Sequence, residues 1–319
     1  MNDVADHSVQ SAPAPQQGRW KLFFGLSRTP HGVLDMATPA MAALLMLGHF
    51  PPLSVIIVGL VTAFAGYTAV YALNDLVDYR IDRERLALRG DTNQLFHVDA
   101  ILARHPLAQS MLPLWSGVLW FLFWAAVAVI GAWWLNPFCV VIFCVSALME
   151  AIYCKLLRIT HLKIIPSVVV KASGGLAGIY AVQPDPSLSF AVLIFLWLSA
   201  WEIGGQNVAN DIVDRDDDIR VSARTTATVK GLREAVFVLV SAVSIASFAG
   251  VVIYWFAGAG VGLIYPIGAV VLGWKLLLEP AREVYRDPGA HRAASLFNKA
   301  SYMPLAFLIL TAISILMPD

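Results

Sequence analysis

Long apolar segments recur along this chain and constrain its fold more than any other feature of the sequence. Each holds about 18–25 residues, enough for a helix to cross a bilayer core of about 30 Å. The 319 residues are 58% hydrophobic and only 14% charged, unlike an ordinary soluble domain. The sequence therefore predicts an all-α integral membrane protein with nine transmembrane helices, near residues 33–49, 53–74, 110–132, 137–154, 164–182, 187–209, 233–256, 259–279 and 297–316.

Basic residues occur in every second connection between these segments. Lys and Arg lie near residues 19–28, 80–104, 155–163, 215–233 and 282–299. Neither occurs in the alternate connections, near 50–52, 133–136, 183–186 and 257–258. Because short basic loops remain on the cytoplasmic side, the N-terminus is predicted to be cytoplasmic and the protein to lie in the cell inner membrane.

The beginning of the chain is polar. Residues 1–18 are rich in Ala, Pro and Gln and lack the apolar core of a signal peptide. We therefore expect residues 1–25 to form a disordered cytoplasmic tail and 26–319 to form one transmembrane domain. The net charge of zero gives no indication of nucleic-acid binding. The three cysteines lack metal-ligand spacing and are predicted to be small core residues.

Two nine-residue acidic motifs share the pattern N-D-[LI]-V-D-x-x-x-D, at residues 74–82 and 210–218, and each directly follows an apolar segment. On a helix, positions i, i+3 and i+7 share a face, so each motif would present a carboxylate ridge about 10 Å tall. Most single acidic runs are solvated helix ends. The repetition of one asymmetric pattern, each time after an apolar segment, argues against that interpretation.

The two ridges require cations, since like charges on one face repel each other. Mg²⁺ prefers oxygen ligands and commonly takes one or two protein carboxylates together with phosphate and water. Two facing ridges could hold two or three Mg²⁺ around a diphosphate, and both lie at predicted cytoplasmic helix ends. Asp75, Asp78, Asp211 and Asp214 are the predicted catalytic residues. The predicted metal ligands are Asn74, Asp75, Asp78, Asp82, Asp211, Asp214 and Asp218.

Four further polar residues lie inside apolar segments and are candidates for the acceptor site or cavity. Asp35 is about one turn inside the membrane boundary, where a snorkelling or capping role is an equal alternative. Lys171 either faces a polar cavity or neutralises a carboxylate, and the small residues 173–178 beside it allow close helix approach. Glu202 either contacts an acceptor, or acts as a base, or pairs with Lys171. Asn207 lies on the same segment as Glu202.

The connections at the predicted cytoplasmic side carry further candidates. Lys155 and Arg158 could meet diphosphate oxygens that Mg²⁺ leaves uncovered, with plain positive-inside charge as the alternative. A loop of about 30 residues after the first motif is predicted to cover the cavity as a lid, with short amphipathic helices at residues 83–88 and 100–103. Its histidines lack ligand spacing and are not expected to bind metal, and the same holds for His161 in the next basic loop; the lid histidines are His97 and His105.

With these motifs at the ends of its second and sixth predicted helices, the chain resembles the UbiA family of membrane prenyltransferases. The first motif matches the family's N-D-x-x-D-x-x-x-D in full, and residues 211–218 are similar to its second acidic motif. Arg28-x-Pro30-x-Gly32 and the 153–161 loop look like those of the 4-hydroxybenzoate branch. The usual R-P-[IL]-x-x-G segment is altered here to Arg104-His-Pro-Leu-Ala-Gln-Ser, without its glycine.

The resemblance implies a helical bundle around a central cavity that opens to the cytoplasm and laterally to lipid. It also implies Mg²⁺-dependent transfer of a prenyl group from its diphosphate to an acceptor, usually an aromatic one. Arg28 joins Lys155 and Arg158 as a predicted diphosphate ligand. The partners would be a prenyl diphosphate, a lipophilic or aromatic acceptor and the lipid bilayer, with no nucleic acid. Some of the many aromatic residues of helices three and four would line the cavity.

Other functions remain open from the sequence. The same fold could serve a porphyrin, a glycerol phosphate or a sugar phosphate as acceptor. A cation transporter would place its acidic residues near the membrane midplane on broken helices, whereas here they cluster at helix ends. A CDP-alcohol phosphotransferase would carry a D-G-x-x-A-R signature, which the sequence lacks.

Overall fold

A computed structural model describes residues 18–89, 102–103 and 105–317. Every regular element in these ranges is helical. The first half contains α1 (Arg19–Leu26), α2 (Thr29–Asp35), α3 (Ala37–Leu47), α4 (Leu53–Arg89), α5 (Leu114–Leu135), α6 (Pro137–Leu156) and α7 (Ile164–Val182). The second half contains α8 (Leu188–Trp201), α9 (Val208–Val213), α10 (Arg215–Arg220), α11 (Thr226–Val229), α12 (Leu232–Val252), α13 (Ile264–Gly273), α14 (Glu279–Arg286), α15 (Ala290–Ser301) and α16 (Met303–Leu316).

Eight helical segments within the described ranges are long and apolar enough to cross a membrane. They confirm the prediction of an all-α integral membrane protein. The remaining predicted span, 33–49, is divided into α2 and α3, with a break at Met36. Pro39 has no N–H to donate to the carbonyl of Asp35, so one continuous helix is disfavoured at this point. α3 then ends at Gly48, whose φ of 68° is readily adopted by glycine.

Helix α4 is longer than the sequence predicts. It runs on to Arg89, whereas the prediction ended the second membrane helix at residue 74. The first acidic motif and the amphipathic stretch 83–88 therefore extend one continuous helix, and 83–88 is not a separate lid helix. The other predicted lid helix, 100–103, is described only at residues 102–103, which are not helical. His97 lies outside the described residues.

Helix α8 leads into a π-helical turn, Glu202–Asn207, before α9. π-Turns are rare and frequently lie at functional sites. Helices α15 and α16 meet at Tyr302, because Pro304 lacks the N–H that would bond the carbonyl of Ala300. Trp201 Nε1 donates to that carbonyl at 2.9 Å, which satisfies it.

The largest apolar core lies among α8, α12, α13 and α16 around Trp197, Trp201, Tyr265 and Phe307, all almost fully buried. On the other side of the bundle α3 and α7 cross closely: a Cβ added at Gly178 would overlap the backbone carbonyl of Pro39. The small residues beside Lys171 thus serve helix packing, as predicted. Two cysteines are buried, but Cys144 is exposed on α6, which corrects the expectation that all three are core residues.

Candidate active site

The first acidic motif lies on the far half of α4 and is largely withdrawn from solvent. Asn74, Asp75 and Asp82 are buried, and Asp78 is half-buried. Asp75 Oδ2 and Asp78 Oδ1 accept no hydrogen bond from any described residue. A buried carboxylate oxygen without a donor is costly, so these two atoms are suited to a cation.

Arg28 and Glu150 orient Asn74 from two sides. Arg28 Nη2 lies 3.0 Å from Asn74 Oδ1 and 3.5 Å from Asp75 Oδ1. Asn74 Nδ2 donates to Glu150 Oε1 at 2.5 Å, a contact that sequence reasoning did not foresee. Arg28 adopts a left-handed backbone conformation (φ 44°) at the start of α2. Its side chain thus reaches the first motif, where a predicted diphosphate ligand would have to lie.

The second acidic motif is not one straight ridge. Asp211 lies on α9, the chain turns at Asp214, and Asp218 lies on α10. Asp211 is held by Lys163 Nζ at 3.4 Å and by the backbone N–H of Thr226 at 2.9 Å. Lys163 is buried and also donates to Tyr153. The sequence indicates it only as one of the basic residues near 155–163.

The two motifs approach each other through Arg85. This residue lies on α4, one turn beyond the first motif, and its Nη2 is 2.5 Å from Asp218 Oδ1. Burial raises the pKa of Asp218, and Arg85 opposes this effect without cancelling it. The nearby carboxylates of Asp214 and Asp211 raise the pKa further, to about 7. The close approach of acidic groups to one another is what a bound cation would relieve.

His105 lies between two carboxylates of the first motif, which the sequence did not predict. Its Nδ1 is 2.9 Å from Asp82 Oδ2 and 3.2 Å from Asp75 Oδ1. Burial would lower the pKa of His105, but Asp82 and Asp75 overcome that effect and raise it to about 9. The three side chains form a potential metal-binding group, which the absence of ligand spacing around His105 in the sequence did not indicate. The sequence offered one signal: His105 itself separates Arg104 from Pro106 in the altered R-P segment.

The other two predicted diphosphate ligands are not directed at the motifs. Arg158 Nη2 pairs with Glu84 Oε2 at 2.5 Å, and both side chains are substantially exposed. Lys155 is exposed at the end of α6. The assignment of Lys155 and Arg158 to diphosphate binding stays a prediction.

An intramembrane polar cluster joins α2, α4 and α7. Lys171 Nζ and Tyr71 OH each lie 2.5 Å from Asp35 Oδ2, so Lys171 neutralises a carboxylate, one of its two predicted roles. Glu202 is not paired with Lys171 by a direct contact: its Oε1 accepts from Ser167 at 2.5 Å. Ser167 also accepts from Asn207 Nδ2 at 3.0 Å. Glu202 Oε2 and Asn207 Oδ1 are buried and have no donor among the described residues.

A cavity of about 420 Å³ extends from this cluster between α3, α4, α6 and α7. Its polar end is lined by Asp35, Tyr71, Glu150 and Lys171, and most of the rest of its wall is apolar. Phe50 and Leu60 line it too and are 43% and 47% exposed, so the cavity reaches the lipid-facing surface. Of the predicted aromatic candidates on helices three and four, Phe143 lines the cavity.

A comparison with known families matches residues 36–308 to the UbiA prenyltransferase family. The chain belongs to this family. The curated relatives that the chain matches include 4-hydroxybenzoate octaprenyltransferases of Tolumonas auensis and Actinobacillus pleuropneumoniae serotype 5b. The first is 26% identical over 69% of this chain and 72% of the relative. The second is 28% identical over 66% and 68%, respectively.

Solved structures of UbiA homologues share the fold. A homologue from Aeropyrum pernix K1 superposes with a TM-score of 0.68 at 18% identity, over 90% of this chain and 97% of that one. One from Archaeoglobus fulgidus, bound to DMAPP and Mg²⁺, has a TM-score of 0.65 at 13% identity, over 93% and 99%. The family assignment confirms the predicted enzyme class: this UbiA family member is a membrane prenyltransferase.

Proposed function

We propose that this protein transfers a prenyl group from its diphosphate to an aromatic acceptor, with Mg²⁺ held by the two acidic motifs. The observation that carries the proposal is the contact between Glu150 and Asn74. It joins the polar end of the apolar cavity to the first acidic motif. A molecule with an anionic head at the motifs and an apolar tail in the cavity fits this arrangement.

The donor set is suited to Mg²⁺. The motifs offer carboxylate and amide oxygens, two of them buried without a donor, and Mg²⁺ prefers such ligands. When bound there, the metal would supply positive charge to the departing diphosphate. Asn74, Asp75, Asp78 and Asp82 would hold it on one side and Asp211, Asp214 and Asp218 on the other. Arg28, which already contacts Asn74 and Asp75, would bind diphosphate oxygens that remain uncovered.

The acceptor would lie beside the π-helical turn. Glu202 Oε2 and Asn207 Oδ1 are buried acceptor atoms that would accept hydrogen bonds from a hydroxyl or ring substituent. In the reaction, the bond between the prenyl carbon and the diphosphate oxygen breaks, and a ring carbon forms a bond to the prenyl carbon. The ring then loses the proton from that carbon to the released diphosphate or to water. Glu202 would hold a phenolic proton and make the ring more electron-rich.

The names of the curated relatives favour an aromatic acid as acceptor. We further propose that the N-terminus and both motifs face the cytoplasm in the cell inner membrane, from the distribution of basic residues. The apolar cavity that reaches lipid would let a long prenyl tail extend into the bilayer.

The test follows diphosphate release by purified protein with Mg²⁺ and prenyl diphosphates of several lengths. Acceptors would include 4-hydroxybenzoate, other aromatic acids, porphyrins, and glycerol and sugar phosphates. We expect release that requires both Mg²⁺ and an aromatic acid. Release only with a porphyrin or a phosphate acceptor would refute the aromatic assignment. If neither Mg²⁺ nor prenyl diphosphate bound, the metal-motif proposal itself would fail.

A further inference from the structure

The side chain of His105 occupies the first acidic motif as a ligand would. Its Nδ1 lies 2.9 Å from Asp82 Oδ2 and 3.2 Å from Asp75 Oδ1. Two neighbouring ligands on one octahedral cation, each bonded at about 2.1 Å, lie about 3 Å apart. The imidazole nitrogen therefore lies from each carboxylate oxygen at the distance that separates neighbouring ligands on one ion, and the three atoms all lie within 4.8 Å of one another. Asp75 Oδ2 is buried and has no hydrogen-bond donor among the described residues, so a cation would stabilise it as well.

The chain presents His105 from a packed turn. His105 has a left-handed backbone (φ 53°), precedes Pro106, and accepts a backbone hydrogen bond from Gln109 at 3.1 Å. Two residues on, Leu107 is 1% exposed and belongs to the apolar cluster of α1 and α4. Because Leu107 anchors the turn, the imidazole is held at the motif by packing as well as by charge.

We propose that His105 Nδ1 is a direct ligand of the divalent cation at Asp75 and Asp82, which makes the first motif a mixed nitrogen–oxygen site. The proposal rests on the function proposed above, since it requires that this motif hold metal. Coordination through Nδ1 requires that this nitrogen carry no proton, as at other histidine metal sites.

This ligand set changes metal preference. Mg²⁺ strongly favours all-oxygen coordination, whereas imidazole suits first-row transition metals, and Mn²⁺ accepts the same carboxylate and water ligands as Mg²⁺. The first motif should therefore bind Mn²⁺ more tightly than Mg²⁺, and His105 should be the cause of the difference.

The experiment uses full-length protein in lipid nanodiscs loaded with Mn²⁺. Pulsed electron paramagnetic resonance detects nitrogen-14 directly bound to Mn²⁺. We expect the nitrogen signal in the wild type and in His49→Ala, which changes an exposed histidine at the opposite end of α4, and its loss in His105→Ala. Calorimetric titration should show His105→Ala weakening Mn²⁺ binding about tenfold, with a clearly smaller effect on Mg²⁺.

A second variant, His105→Gln, keeps a polar side chain of similar length and offers an amide oxygen. It should bind Mg²⁺ at least as well as the wild type while losing the nitrogen signal. Wild-type protein that binds Mn²⁺ without a nitrogen signal would overturn the proposal and leave His105 as a counter-ion of the metal-free site. Absence of both Mn²⁺ and Mg²⁺ binding, or binding unchanged in Asp75→Asn, would instead refute the function on which the proposal rests.

Discussion

Asp75 combines near-complete burial with an unsatisfied carboxylate oxygen. The residue is 2% exposed, and its Oδ1 lies near both Arg28 and His105 while Oδ2 has no donor among the described residues. A protein would gain stability by replacing such a group with a neutral one, unless the charge serves binding. The retained charge is therefore best explained by a cation that the reaction requires.

Substitution Asp75→Asn tests this explanation. The amide preserves the shape but removes the charge, so we expect turnover to fall by about 100-fold or more while the protein stays folded. The matched control is Asp216→Asn, the same change at an 87% exposed carboxylate within the second motif, which should leave turnover within about twofold because an exposed charge contributes little. Metal-dependent prenyl transfer in detergent measures both. Equal losses in the two variants would contradict the assignment.

Arg28 and Arg158 are both predicted diphosphate ligands, but their surroundings differ. Arg28 contacts Asn74 and Asp75, whereas Arg158 pairs with Glu84 on an exposed surface. We expect Arg28→Gln to raise the KM for prenyl diphosphate about tenfold, the effect of losing a hydrogen bond to a charged group. Arg158→Gln should change it less than about threefold. Steady-state kinetics with saturating acceptor gives both values, and a larger effect at Arg158 would support its predicted role over that of Arg28.

The ion pair between Lys171 and Asp35 contributes to the stability of the fold as well as to the site. Lys171→Met leaves Asp35 buried without its cation, and we expect a loss of about 3–5 kcal/mol in the free energy of unfolding. The double variant Lys171→Met/Asp35→Asn removes both charges and should recover most of that loss. Thermal unfolding in detergent compares them, and the single change Asp35→Asn completes the cycle. Additive effects of the two changes would show that the pair is not coupled.

Residue identities within motifs were predictable because helical spacing brings i, i+3 and i+7 together. Contacts between distant segments were not, since no local pattern encodes them. Lys163 reaches Asp211 across 48 positions and Glu150 reaches Asn74 across 76. Ligand spacing along the chain does not reveal His105, because its partners lie on α4.

At the scale of elements, the two acidic motifs differ although their sequences match. α4 continues unbroken through its motif to Arg89, while the second motif bends at Asp214. The sequence predicts the position of most membrane helices from apolar length alone. It does not predict the π-turn at Glu202–Asn207, because the apolar pattern passes through that turn without a break and its two glycines are equally compatible with close packing.

Close packing of α3 against α7 depends on Gly178. A methyl group there would overlap the carbonyl of Pro39, which is backbone and has little freedom to move. We expect Gly178→Ala to lower the free energy of unfolding by about 1–3 kcal/mol. The matched control is Gly59→Ala on α4, where an added Cβ meets no atom within 4 Å and the change should be neutral or slightly stabilising. Thermal unfolding of both variants in one detergent is the measurement, and equal midpoints would refute the packing argument.

At the scale of the whole molecule, the described residues contain eight segments long and apolar enough to cross a membrane, together with the divided first segment. Their order places the acidic motifs at one end of the bundle and the 183–187 connection at the other. Basic residues in the sequence predict which end is cytoplasmic, since charge asymmetry needs no knowledge of packing. The architecture was therefore accessible from the sequence, whereas the cavity was not, because its walls come from helices distant in the chain.

Orientation is testable by labelling single cysteines. The background is a variant without Cys139, Cys144 and Cys154. A membrane-impermeant maleimide is added to cells whose outer barrier admits the reagent and whose inner membrane is intact. It should label Asp185→Cys. Asp216→Cys should react only after the inner membrane is opened, because its motif is predicted to be cytoplasmic. Both positions are exposed, so access to the side chain is not limiting. The reverse pattern would invert the proposed topology.

The cavity is lined by Phe50 and Leu60, which are also exposed on the surface of the bundle, and this has a consequence for how the protein meets its substrate. A prenyl tail that enters from lipid diffuses in two dimensions, and its effective concentration is its mole fraction in the bilayer. Dilution of the substrate with inert phospholipid should therefore slow the reaction even when the amount per litre is unchanged. The membrane around such a protein supplies the substrate, and the ratio of lipid to substrate in the bilayer sets the rate at which substrate enters the cavity.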